Sequence, residues 1–129
     1  MINIAILGFG VVGGGVAEVI TMNQEKIDAH LGEPIRVKKI LDLREFPDSP
    51  YKDLVTHDDK EVFDDPEISV VVETIGGARI AYEFTKRALS LGKSVVTSNK
   101  ELVATHGVEL MRIAKEHNCL YLYEAAVGG

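Results

Sequence analysis

Apolar residues gather along the chain into short runs of strand length, separated by stretches in which apolar positions recur at helical spacing. The first run, Ile2-Asn3-Ile4-Ala5-Ile6-Leu7, feeds directly into Gly8-Phe9-Gly10-Val11-Val12-Gly13, with Gly14 and Gly15 behind. Val16, Val19, Ile20 and Ile27 then mark one long helix that Gly32 and Pro34 end. In residues 35–42, a second strand, apolar residues first alternate with basic ones and then run together at Ile40-Leu41. A loop rich in Pro, Asp and Ser follows over residues 43–53. Leu54-Val55-Thr56 is a short edge strand, and residues 58–63 form a short helix capped by Asp58 or Asp59.

Pro66 precedes a strand over residues 68–74 whose unbroken Val70-Val71-Val72 suits a sheet covered on both faces. Ala81, Phe84, Ala88 and Leu91 mark the next helix face, stopped by Gly92. Ser94-Val95-Val96-Thr97 is a fifth strand. Ser98 is placed to cap the following helix, with Glu101 in the capping-box position and Val108, Leu110, Met111, Ile113 and Ala114 on its core face. Residues 119–123 supply the last strand. Six strands alternating with helices or loops predict an α/β fold, a Rossmann-type doubly wound parallel sheet in the order 3-2-1-4-5-6. Residues 1–129 are read as a single dinucleotide-binding domain.

In that fold the crevice lies between the first and fourth strands, where the glycine loop and Thr74-Ile75-Gly76-Gly77 both fall at strand C-termini. Gly8 turns the chain off the strand, Gly10 lets a pyrophosphate approach the backbone, and Gly13 lets the helix pack against the strand. The helix start offers unpaired N–H groups and a positive dipole end to phosphates. Gly13, Gly14 and Gly15 are together expected to be stripped of side chains because they face sheet and cofactor. At the end of the second strand, Asp42 suits the ribose hydroxyls of NAD. Arg44, with Lys52 as a possible helper, suits the 2′-phosphate of NADP, so either cofactor is open.

Composition narrows the setting. The 129 residues are 46% hydrophobic and 26% charged, with net charge −6, as in a globular protein of one domain. The one basic run, Arg36-Val37-Lys38-Lys39, is read as a solvated strand edge, which argues against nucleic acid. The acidic residues Asp58, Asp59, Glu61, Asp64 and Asp65 are read as a solvated helix surface without the rigid spacing of a metal site. Cys119 sits in an apolar run and is expected to be a buried small hydrophobe. His30 and His57 fall in loops and His106 and His117 on the polar side of a helix, all four as surface residues. With no membrane-length apolar run and no signal-type segment, the expected compartment is the cytoplasm.

Lys100 stands at the C-terminal end of a parallel strand, the edge where ligands bind, although a cation there opposes the helix dipole. The segments Gly8-Phe9-Gly10-Val11-Val12-Gly13, Val71-Val72-Glu73-Thr74-Ile75-Gly76-Gly77, Val95-Val96-Thr97-Ser98-Asn99-Lys100-Glu101-Leu102 and Tyr123-Glu124-Ala125-Ala126-Val127-Gly128-Gly129 together resemble homoserine dehydrogenase. The commoner form in that family has alanine where Ser98 stands. The resemblance implies NAD(P)-dependent interconversion of L-homoserine and L-aspartate 4-semialdehyde on the way to threonine and methionine. It implies that Lys100 sits near the nicotinamide as a cofactor-binding residue and acts in substrate binding or proton relay, and that Thr74, Ile75 and Gly76 line the cofactor. It also places Glu124 and the carbonyls of Val127 and Gly129 in a monovalent cation (Na+) site. A substrate-binding, dimerising domain is expected beyond residue 129, making the whole protein a homodimer and this part inactive alone. The alternatives are another Rossmann dehydrogenase acting on a semialdehyde or sugar, or a non-catalytic dinucleotide-sensing module that would not need Lys100.

Overall fold

The structure, a computed structural model, describes residues 1–124. Six strands, β1 (Ile2–Leu7), β2 (Ile35–Leu41), β3 (Val55–Thr56), β4 (Ile68–Glu73), β5 (Ser94–Thr97) and β6 (Tyr121–Tyr123), form one sheet. Its order is β3-β2-β1-β4-β5-β6 and every pairing is parallel. Among the described residues five α-helices connect them: α1 (Val11–Met22), α2 (Gln24–Leu31), α3 (Lys60–Phe63), α4 (Arg79–Ser90) and α5 (Lys100–Glu116).

The period-two alternation of β1 divides the interior. Ile4 and Ile6 face a core with Phe9, Ala17 of α1, Ile40 and Val72. Ala5 and Leu7 face the opposite core, with Val71, Ala81, Leu89, Leu102 and Leu110 from α4, α5 and their strands. Two register shifts keep this division intact. The β1–β4 pairing passes from Asn3↔Ile68 to Ile4↔Val70, so Ser69 is an extra residue and Ile68 joins the same core as Val71. The β1–β2 pairing likewise skips Lys38. The basic run of β2 is therefore built into ion pairs. Arg36 meets Asp28, Lys38 meets Asp65 and Glu67, and Lys39 meets Glu61. The acidic stretch is engaged in the same way, since Asp59 pairs with Arg87 and Asp58 accepts the Lys60 N–H at 3.0 Å.

Local chemistry moved several boundaries. The long first helix is two helices, broken at Asn23, whose backbone N–H and side-chain amide both reach the Val19 carbonyl, at 3.1 and 3.0 Å. A side chain that competes for a helix carbonyl in this way interrupts the ladder. The cap of α5 is Asn99 rather than Ser98, because Asn99 Oδ1 accepts the Leu102 N–H at 2.9 Å. Val108 and Met111 are 89% and 61% exposed, so the buried face of α5 runs instead through Leu102, Gly107, Leu110, Ile113 and Ala114. Leu91 lies past the end of α4 and is exposed. Cys119 precedes β6, half-buried, and burial pushes its thiol pKa up. His30 lies in the last turn of α2 rather than in a loop.

The glycine run divides by its surroundings. Among the described residues, a Cβ on Gly13 would stand 2.1 Å from the Gly8 carbonyl oxygen, whereas one on Gly14 would meet only Phe9 at 3.9 Å and one on Gly15 nothing within 4 Å. Close packing therefore accounts for Gly13 alone. Gly13→Ala is expected to lower stability by about 2–3 kcal/mol in urea unfolding, as forced overpacking does. Gly15→Ala is expected to raise it by up to about 1 kcal/mol through helix propensity. Equal effects of the two substitutions would contradict this assignment.

Candidate functional site

The order of the strands reverses between β1 and β4, and the loops leaving both strands open into one cleft of about 610 Å³. Gly8 turns out of β1 at φ +88°, in the left-handed region that glycine adopts without penalty. Its N–H donates to the Leu41 carbonyl at 2.8 Å, binding the turn to the end of β2. From the other side the Thr74 hydroxyl donates to the Leu7 and Gly8 carbonyls at 2.8 and 3.0 Å. Three strand ends are thus fastened around the start of α1. Gly10 is the N-cap of that helix and contributes no side-chain hydrogen bond to it. The first-turn N–H groups have no intrahelical acceptors, an arrangement whose dipole and free donors favour an anion.

The structure brings seven of the expected cofactor residues into the cleft lining: Gly8, Gly10, Asp42, Arg44, Thr74, Ile75 and Gly76. The remaining expected positions lie elsewhere. Phe9 is buried and packs edge-on against Phe46 and Tyr51, with ring centroids 4.9 and 6.1 Å away. Gly13 is buried beneath the Gly8 turn. Val11 is 94% exposed at the tip of the helix, and Val12 is half-buried behind it. Lys52 lies in a 3₁₀ turn and does not line the cleft.

Asp42 does more than close a strand. Its Oδ2 accepts the Phe9 N–H at 2.8 Å, and its carboxylate receives Arg44 through the backbone N–H and two guanidinium nitrogens at 2.9–3.1 Å. The Arg44 guanidinium holds the Asp42 pKa down at about 2, aided by the two backbone donors and against partial burial. Arg44 itself stays largely exposed and lies over the Phe46 ring at 5.2 Å. The cleft therefore presents an anionic hydroxyl acceptor and a cation side by side at the end of β2, the chemistry of either a ribose diol or a 2′-phosphate.

On the far side, the chain after β4 is held by groups that sequence patterning passed over. Glu73 is fully buried, and its carboxylate accepts the Ile75 N–H and the Thr97 hydroxyl, each at 2.6 Å. Burial raises its pKa, partly offset by these two donors. Thr97 Oγ1 in turn accepts the Asn99 N–H at 3.0 Å. The Asn99 amide donates to the Ile75 and Gly77 carbonyls at 3.3 and 2.5 Å while capping α5. The visible signal was a lone acid ending an otherwise apolar strand, where ionisable groups stay only if paired.

Lys100 is exposed as the first residue of α5, next to this clamp, and does not line the cleft. The Glu124 N–H donates to the Thr97 carbonyl at 2.9 Å, while Val127 and Gly129 lie outside the described residues. His57, expected as a plain surface residue, lines the cleft beside Arg44. No helix among the described residues is long and apolar enough to cross a membrane.

The family model described as "Homoserine dehydrogenase, NAD binding domain" matches residues 8–124. Homoserine dehydrogenase from Bacillus subtilis is 39% identical over 132 aligned residues, covering 99% of this chain and 30% of the relative. The Pseudomonas aeruginosa homoserine dehydrogenase is 40% identical with the same coverage of each chain. The crystal structure of S. aureus homoserine dehydrogenase superposes with a TM-score of 0.87 at 33% identity, over 96% of this chain and 32% of that one. A hyperthermophilic archaeal homoserine dehydrogenase, solved in complex with NADPH, superposes at 0.75 and 28% identity over 97% of this chain and 44% of its own. The chain thus spans about 30% of the length of the curated relatives it matches. The matched segment includes both glycine loops, the Asp42–Arg44 corner and the Asn99 clamp, and this chain belongs to the NAD-binding domain family of homoserine dehydrogenase.

Proposed function

We propose that this chain is the dinucleotide-holding part of an enzyme that moves a hydride between L-homoserine and L-aspartate 4-semialdehyde, with NAD or NADP as the carrier. The observation that carries the reading is the start of α1. Gly13 sets the helix so close to the Gly8 turn that an added Cβ would stand 2.1 Å from the Gly8 carbonyl oxygen, and the uncapped first turn opens on the cleft beside Gly10. That shape fits a pyrophosphate, because among the described residues a Cβ on Gly10 would meet only Arg44, at 4.0 Å.

In this reading the amides of the first turn of α1 bind the pyrophosphate, and Asp42 or Arg44 binds the adenosine ribose. Thr74, Ile75 and Gly76 line the path toward the reacting end, and Glu73 and Asn99 hold that loop in place. The bound nicotinamide supplies or accepts the hydride. Lys100, at the mouth of α5, is assigned to substrate binding or to the accompanying proton transfer, a step that needs a positioned side chain. The remaining seven-tenths of a relative's length would supply the rest of the substrate pocket and the dimer contact. Glu124, with the carbonyls of Val127 and Gly129, belongs to the same reading as oxygen ligands for a monovalent cation.

Two measurements test this. Fluorescence titration of the chain with NADH and NADPH is expected to show saturable binding of at least one, abolished by Gly10→Glu, which places a carboxylate against the pyrophosphate. Failure of both to bind would reject the cleft as a dinucleotide site. Joined to the remaining part of a homoserine dehydrogenase, the Lys100→Ala variant is expected to lose at least about 100-fold in kcat, the scale of a positioned acid or base. Its affinity for the dinucleotide should not change. Undiminished turnover would remove Lys100 from the chemistry.

A further inference from the structure

His57 follows β3 and lines the same cleft as Asp42 and Arg44. Both of its ring nitrogens face acceptors: Nδ1 lies 2.7 Å from the Asp42 carbonyl oxygen and Nε2 lies 2.9 Å from Glu45 Oε1. A neutral imidazole carries one N–H and satisfies only one such partner, whereas imidazolium donates to both. Both partners sit on the loop leaving β2, which also carries Arg44. The protonated ring therefore fastens that loop to the end of β3.

We propose that His57 is a specificity-determining residue of this cleft, whose imidazolium form favours a dinucleotide bearing a 2′-phosphate over one with a free 2′-hydroxyl. The proposal rests on the cleft being a dinucleotide site, and it follows from the charges that surround the ring. The loop after β2 contributes Asp42, Arg44 and Glu45, and the turn before α3 contributes Asp58 and Asp59. Asp42 is matched by Arg44 at 2.9 Å, and Asp59 by Arg87 of α4 at 2.8 Å. Asp58 is turned to its own Lys60 N–H. Glu45 is left for His57. Imidazolium neutralises it, while neutral imidazole leaves a surplus negative charge beside the position a phosphate would take. The Asp42 carbonyl, followed by the Glu45 carboxylate, raises the ring pKa above its ordinary value, which favours the imidazolium form.

The test is equilibrium binding of NAD and NADP by the 129-residue chain at successive pH values across the titration of the ring. The phosphate of NADP titrates in its own right, and His57→Gln, which keeps a donor without a charge, carries that ligand titration unchanged. Relative to His57→Gln, wild type is expected to lose about fivefold in preference for NADP as pH rises through the histidine range, the size of one screened charge contact. Glu45→Gln, at a side chain 82% exposed and so harmless to folding, is expected to move the midpoint of that loss to lower pH. Parallel trends in wild type and His57→Gln, or an unmoved midpoint in Glu45→Gln, would overturn the proposal while leaving the cleft intact. Absence of binding of either dinucleotide to wild type at every pH would overturn both.

Discussion

The contact between the first turn of α1 and the end of β1 leaves no room for one carbon atom. With hydrogen at Gly13, the helix starts directly against the Gly8 carbonyl, and the Thr74 hydroxyl closes over the same oxygen from β4. Everything that makes the cleft depends on this approach. It aims the unpaired N–H groups of the helix into the space between the β1 and β4 loops. It also draws the Gly8 turn within hydrogen-bonding reach of Leu41, which sets Asp42 and Arg44 along the opposite wall. Interiors are packed too tightly to accept an added methyl without displacement, so this contact is also where the domain is most sensitive.

The other half of the cleft is organised by polar groups. Glu73 is a buried carboxylate whose two oxygens each take one donor, from the Ile75 backbone and the Thr97 hydroxyl. Asn99 continues the chain of bonds to the loop carbonyls of Ile75 and Gly77 and to the start of α5. Such a network ties the cleft-lining loop to the residue beside Lys100, so the two keep one spacing. Nearby, the Tyr121 hydroxyl is buried with no hydrogen-bond partner among the described residues, and burial together with the Glu73 charge pushes its pKa up to about 12. Buried polar networks are worth keeping when every member has a defined partner, because they then select a single arrangement.

Sheet order, strand positions and the glycine turn were legible in the sequence because they follow from period and from backbone permission, both local properties. The apolar runs of β1 and β4 have no polar face to hide, and Gly8 and Gly13 stand where a side chain is forbidden. What patterning missed depends on partners distant in sequence. Asn23 breaks the first helix by capturing a carbonyl four residues back, and Val108 and Met111 lie on an outward face that hydrophobicity alone assigned to the core. The clamp at Glu73, Thr97 and Asn99 joins residues more than twenty positions apart, and His57 acquires its setting only when β3 lies beside β2. The three-glycine run shows the limit from the other side. One explanation covered three residues, and geometry keeps it for Gly13 only.

The central claim is that a dinucleotide pyrophosphate rests on the first turn of α1. Backbone amide NMR of the chain during titration with NADPH tests it residue by residue. The account predicts the largest shifts at the amides of Gly10, Val11, Val12 and Gly13, with smaller ones at Thr74, Ile75 and Gly76 across the cleft. Saturable binding that leaves the first turn of α1 unperturbed would contradict it.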